Sequence, residues 1–322
     1  MVERWGSYSS GNRSATAQTI ACSTNFALKT IIHLANRCCP AEPPRSKMWL
    51  GKKFGNLFRK GSRRKIMSLT LDLTGKVALI TGGSRGIGAA CVRLFTQAGA
   101  SVLFNYQKSA EAAQRVVIAS GPDRCAAVQS DLIGEGAEEM LVEEAVSRYG
   151  YLDILVVNHG IWPPQDQAID QMEDEQWRAT MATNLDSAFL LVKSAVRAMK
   201  HSRRGGHIVM VSSTAGQRGE AFHCDYAATK GAIISMVKGL STELARDHIY
   251  VNCVAPGWVA TDMSVAVMGL PGMQEKITSQ IPLGRIGRPE EIAAPILFLC
   301  SPLASFITGE VFNVNGGAVL AG

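Results

Sequence analysis

No Cys-x-x-Cys pair and no His-Glu-x-x-His occur in the 322 residues, and neither the eight cysteines nor the six histidines cluster at metal-ligand spacing. Those absences argue against a zinc ribbon, a redox dithiol and a zinc hydrolase, and predict neither a structural nor a catalytic metal. Scattered cysteines fit a reducing compartment better than a disulfide framework. The apolar stretch at 26–35 is interrupted by Lys29 and His33 and falls far short of the roughly 20 residues a membrane span needs. Carboxylates are nearly missing from residues 1–66, where thirteen Lys or Arg meet only Glu3 and Glu42. That segment carries +11, so with the whole chain at +6 the remainder stands at −5. The basicity belongs to the extension, and the rest has no need of nucleic acid.

Residues 1–66 are rich in Ser, Arg and Lys and break at Pro40, Pro43 and Pro44, which predicts a basic, disordered extension rather than part of a core. Three readings stay open: an over-extended translation start, an organelle transit peptide, or a membrane- or nucleic-acid-binding arm. The first is preferred, because Met67 opens a natural beginning just before the first strand; it implies a cytoplasmic protein. The second implies a mitochondrion or plastid. Residues 67–322 are expected to form one catalytic domain.

From Lys76 onward, short β-rich runs at 77–81, 101–106, 126–130, 152–157, 207–211, 250–254 and 311–314 alternate with helical patterns at 87–98, 137–148, 173–200, 226–247 and 289–300. Most of the strands are continuous apolar runs, as in a parallel sheet covered on both faces. The expectation is an α/β fold, a Rossmann-like doubly wound parallel sheet of about seven strands. Ligands of such sheets lie beyond the carboxyl ends of the strands, so the chemistry should sit there.

The first strand runs through Thr81 into Gly82-Gly-Ser84-Arg85-Gly86-Ile87-Gly88, after which an apolar-periodic helix begins. Glycines at 82, 86 and 88 let the backbone turn and approach a pyrophosphate at a helix N-terminus. An acid at the end of the second strand would hold the ribose 2′-hydroxyl of NAD, whereas a base suits the 2′-phosphate of NADP. Here Asn105, Tyr106 and Gln107 lead to Lys108 with no carboxylate, and Arg85 adds a second cation; NADP(H) is therefore expected over NAD(H).

Carbonyl reduction takes a hydride from a cofactor and a proton from the protein. Of six tyrosines, only Tyr226 has a lysine four residues on, Lys230, which on a helix shares its face and would stabilise phenolate, lowering the tyrosine pKa. Ser213 ends the preceding strand, where its hydroxyl can bind a substrate oxygen as charge develops.

With these residues assembled, the chain from about Leu71 to Gly322 resembles the short-chain dehydrogenase/reductase family. The likeness rests on the glycine loop, Asp131 after the third strand, Asn158-His159-Gly160, Asn184, the Ser213/Tyr226/Lys230 set, Pro256-Gly257 with Val259 and Thr261, and the closing Asn315-Gly316-Gly317. It implies that Asp131 and Leu132 contact the adenine and that Asn158 and Gly160 line the cofactor. It also implies that Val259 and Thr261, next to Pro256 and Gly257, hold the carboxamide end, and that Asn184 joins a proton relay to Lys230. A homotetramer built on the long helices and the last strand is implied as well.

One departure stands out. Family members typically read Asn-Asn-Ala-Gly where this chain has Val157-Asn158-His159-Gly160, which leaves the support of the fourth strand open and gives His159 either a substrate contact or structural hydrogen bonds. Within the family the chain looks most like 3-oxoacyl-[acyl-carrier-protein] reductases. That would make an acyl carrier protein a partner, docking on Arg203 and Arg204, although Asp247 lies near where another base is expected. Selectivity should come from Ile161, Trp162, Pro163, Pro164, Phe222, His223 and a variable loop at 258–280. A sugar, steroid or small secondary alcohol as substrate stays open, and so does a non-catalytic dinucleotide-binding regulator or scaffold.

Overall fold

The structure, a computed structural model, describes residues 71–320; the expectations for residues 1–66 lie outside them. Seven strands form one parallel sheet in the order β3-β2-β1-β4-β5-β6-β7. In sequence they are β1 (Val77–Ile80), β2 (Ser101–Tyr106), β3 (Cys125–Gln129), β4 (Ile154–Val157), β5 (Gly206–Val211), β6 (Ile249–Pro256) and β7 (Val311–Val314). The expected doubly wound sheet is therefore present, with every strand at its expected place to within a few residues.

Side chains alternate between the faces of a strand, and the central strands are apolar on both. Ile80, Phe104, Val156 and Val209 pack with Phe95 on one side, while Leu79, Leu103, Leu155 and Met210 pack with Leu191 and Ile233 on the other. The first layer is closed by α1 (Gly86–Gln97), α2 (Ala110–Ser120) and, near the end of the chain, Pro289–Leu299; the second by α3 (Ala137–Tyr149) and two helices described next.

Three departures from the sequence pattern bear on the site. The segment expected as one helix over 173–200 is α4 (Asp174–Met181), a π turn (Ala182–Asp186) and α5 (Ser187–Ser202). At the end of that turn Ser187, the first residue of α5, donates its Oγ–H back to Thr183 O at 2.7 Å. Helix α2 is not among the helical stretches named from the sequence; its buried residues are Ala113 and Val116. After α6 (Thr214–Arg218) and the long α7 (Cys224–Leu244), the segment read as a variable loop folds into α8 (Asp262–Met268) and α9 (Met273–Ser279), ahead of α10 (Pro289–Leu299). Thr261 caps α8, its N–H donating to Ser264 Oγ at 3.2 Å. No helix of the described residues is long and apolar enough to cross a membrane.

Candidate active site

Strand order reverses at β1, whose neighbours β2 and β4 lie on opposite sides. A cavity of about 580 Å³ opens there, beyond the carboxyl ends of the strands. Every residue singled out for cofactor or catalysis lines it except Gly88 and Asn184.

Gly88 works from behind. A Cβ there would lie 2.2 Å from Gly82 O, so only glycine lets α1 approach the loop. Gly82 and Gly86 have φ of +65° and +55°, a region side chains avoid. Helix α1 starts at Gly86 with no side-chain cap on its first turn, leaving backbone N–H groups directed at the cavity, as an anion site requires. The cradle thus fits a pyrophosphate. Asn105 is turned inward: its Oδ1 accepts the Gly82 N–H at 2.9 Å and its Nδ2 donates to Ser130 O at 3.1 Å. Its contribution is to fix the loop on β2 and β3. Lys108 lies exposed at the rim, and Arg85 stands 3.5 Å from Asp262 in an exposed pair.

Ser213 caps α6, its Oγ accepting the Ala215 N–H at 3.1 Å. Tyr226 sits in the first turn of α7 and hydrogen-bonds to Ser213. Lys230 follows one turn later, 4% exposed. Its Nζ donates to Val211 O at 2.9 Å and lies 5.7 Å from the Tyr226 ring centroid. The expectation of a depressed tyrosine pKa is not met. Burial pushes the Tyr226 hydroxyl up to about 12, the Glu220 carboxylate adds to that, and only the Ser213 hydrogen bond opposes it. Burial also pulls Lys230 down to about 8. Spacing put the two groups on one helical face, but burial sets both shifts.

Asn184 occupies the π turn. Its Oδ1 accepts the Ile161 N–H at 2.7 Å and its Nδ2 donates to Ile161 O at 2.9 Å. A Cβ on Gly160 would come within 3.1 Å of Asn184 Oδ1 and 3.5 Å of Lys230 Nζ, so this glycine keeps the space between them open. His159 makes structural hydrogen bonds, to Thr81 Oγ1 and Ser187 Oγ, each 2.8 Å. Burial pushes its pKa down to about 3, with nearby Lys230 acting the same way.

On the substrate side, the Trp162 ring lies 4.7 Å from His223 and 6.1 Å from Trp258 between centroids. His223 Nε2 stands 3.2 Å from Asp166 Oδ1. Arg218 and Glu220 also line the cavity, and sequence reasoning missed both; their place just before Tyr226 was the available signal. Arg203 and Arg204 do not belong here. They precede β5, whose six residues separate them from the cavity end by roughly 20 Å at about 3.3 Å per residue. Arg204 is committed to Asp153 at 3.3 Å and to the Tyr151 ring at 3.8 Å.

A glycine-rich cradle and a Ser, Tyr, Lys set at a topological switch point define a nicotinamide-dependent oxidoreductase. A family model described as enoyl-(acyl carrier protein) reductase matches residues 82–319. The chain is 38% identical over 252 residues to a 3-oxoacyl-[acyl-carrier-protein] reductase of Synechocystis, covering 77% of this chain and 98% of the relative. It is 39% identical over 248 residues to one of Vibrio cholerae, with shares of 77% and 98%. Two solved structures from Brucella melitensis resemble it. A glucose/ribitol dehydrogenase has a TM-score of 0.73 at 36% identity, over 79% of this chain and 100% of that one. A 3-ketoacyl-(acyl-carrier-protein) reductase complexed with NADH has a TM-score of 0.72 at 33% identity, over 77% and 100%. The chain belongs to the short-chain dehydrogenase/reductase family, and is an oxidoreductase acting on CH–OH groups.

Proposed function

We propose that the protein is an NADPH-dependent reductase of 3-oxoacyl thioesters, with Tyr226 as general acid. The observation that carries the reading is the convergence of Ser213, Tyr226 and Lys230 on the cavity that the glycine loop opens into. The names of the relatives supply the substrate class. The family model is described by enoyl reduction, but two hydroxyls meeting at Ser213 and Tyr226 suit a carbonyl oxygen becoming an alkoxide.

A bound reduced dinucleotide supplies the hydride. The chain supplies the rest. Ser213, held in place by the Ala215 N–H that its Oγ accepts, can turn its hydroxyl proton from Tyr226 to the substrate oxygen. Tyr226, protonated because burial holds its pKa near 12, gives its proton to the developing alkoxide. Lys230, still cationic below about pH 8, offsets the phenolate that results, and the space that Gly160 keeps open toward Asn184 is where a water-borne proton relay from it would pass. Lys108 and Arg85 favour a 2′-phosphate at the rim, which has no carboxylate at the end of β2 to repel it.

A second cofactor reading has its own support: Asp262 competes for Arg85, and a structural relative was solved with NADH. Initial rates with NADPH and with NADH, using acetoacetyl thioester and a crotonyl thioester in parallel, separate these readings. Turnover of the crotonyl substrate alone would replace the oxo assignment by the enoyl one.

We extend the reading to a homotetramer. Trp177 on α4, Phe189 on α5 and Phe306 before β7 are exposed, on the elements that family members bury between subunits. A monomer by light scattering would remove this part. A catalytic domain spanning 67–322, with residues 1–66 dispensable, is part of the same proposal.

A further inference from the structure

We propose that His159 is a positioning residue that ties the glycine-loop end of β1 to the π turn carrying Asn184, and so sets the spacing between the dinucleotide cradle and the Asn184–Lys230 side of the site. Its kinetic consequence rests on the reductase reading; its structural consequence does not.

The direction of each hydrogen bond follows from Ser187. That hydroxyl has one proton, and it goes to Thr183 O at 2.7 Å inside the π turn. Ser187 Oγ can therefore only accept from His159 at 2.8 Å, which places the ring proton on Nε2. Nδ1 is then a lone pair and accepts the Thr81 hydroxyl at 2.8 Å, in preference to the longer 3.3 Å contact of that hydroxyl with Val156 O. Thr81 Oγ1 in turn accepts the Asn158 N–H at 2.9 Å, so residues 158 and 159 both hold the last residue before Gly82. Thr81 and Ser187 are 0% and 2% exposed, and water does not substitute readily for either bond.

The π turn is the part that needs holding. Such a turn is rare and less favourable than α-helix, and tends to persist where side chains fix it. Relaxation of residues 182–186 to helical register would rotate Asn184 off the Ile161 main chain, to which both ends of its amide are bonded. The glycine loop has separate support, because Asn105 accepts the Gly82 N–H through its side chain and the Gly83 N–H through its carbonyl. Loss of His159 should therefore disturb Asn184 more than the dinucleotide cradle.

The test uses the full chain and three variants. His159→Ala removes both bonds. His159→Asn keeps an acceptor toward Thr81 only, and His159→Gln keeps a donor toward Ser187 only. Hydrogen exchange over peptides covering 181–188 should accelerate about tenfold in His159→Ala while strand peptides keep their protection. With acetoacetyl thioester, kcat should fall about 10–100-fold, as expected when a catalytic group is misplaced by about an ångström, while the Kd for NADPH changes by less than about threefold. The two half-bridge variants should lose kcat as His159→Ala does. Unchanged exchange at 181–188 would overturn the inference, as would exchange that rises equally throughout the sheet, or a loss confined to NADPH affinity. If the wild-type protein itself leaves acetoacetyl thioester untouched, the substrate reading fails, and the exchange pattern together with NADPH affinity still decides the role of His159.

Discussion

The Lys230 ammonium donates to the Val211 carbonyl oxygen at 2.9 Å, and its nitrogen stands 5.7 Å from the centroid of the Tyr226 ring. Val211 ends β5, so the lysine is anchored to the sheet while its charge stays within reach of the tyrosine. Burial depresses the lysine to about 8 and raises the tyrosine to about 12.

A pH profile follows from that pair. The cationic lysine is present below its pKa and lost as pH rises through it, whereas the tyrosine proton is kept throughout the working range. Since kcat/KM reports the ionisations of the free enzyme, the value for reduction should be level at lower pH and fall above about 8. Lys230→Arg, which keeps its charge, should remove that limb from whatever activity it retains. A wild-type profile that stays level well beyond this pH contradicts the account.

Gly88→Ala should weaken dinucleotide binding by about 5–150-fold. The added methyl would meet Gly82 O at 2.2 Å, both partners are backbone, and overpacking of this kind costs about 1–3 kcal/mol. Titration with NADPH reads the loss directly, and a variant that binds normally would show that the loop tolerates a wider approach.

Lys108→Glu should lower kcat/KM for NADPH at least about tenfold, a change of about 1.4 kcal/mol, with NADH affected less. Arg85→Ala should act in the same direction but more weakly, because Asp262 already holds that guanidinium at 3.5 Å. An unchanged cofactor ratio in both variants would place the 2′-phosphate contacts elsewhere.

At the opposite end of the sheet, Asp153→Ala should destabilise the protein by about 1–3 kcal/mol, the cost of leaving a buried donor unpaired. Asp153 accepts the Val77 N–H at 2.9 Å, whereas Lys76 and Arg204 are near two-fifths exposed and can return to water. Denaturant melting measures this, and turnover should be retained because the cavity lies at the other edge.

The strands were legible because parallel strands covered on both faces are unbroken apolar runs, and the glycine loop because strand before and helix after give its glycines a purpose. Tyr226 and Lys230 were legible because four residues make one helical turn. What escaped depends on groups brought together from distant parts of the chain. Residues 182–186 look helical by composition, and their π geometry goes with contacts to Ile161 and His159. The histidine is 78 residues from Thr81 and 28 from Ser187, so no local pattern reveals its bridge. Likewise, spacing announces the Tyr226–Lys230 pair but not the desolvation that decides its pKa values, and Arg204 cannot be assigned to Asp153 until the sheet is closed.

The central claim is a tyrosine that protonates a carbonyl substrate in the cavity at the switch point. The most direct measurement is NADPH oxidation by the full-length protein with acetoacetyl thioester, beside Tyr226→Phe and with NADPH affinity measured for both. The account predicts turnover in the wild type, a loss of roughly 10²–10⁴-fold in the variant, as removal of a general acid produces, and unchanged NADPH affinity. Turnover undiminished in Tyr226→Phe would contradict it.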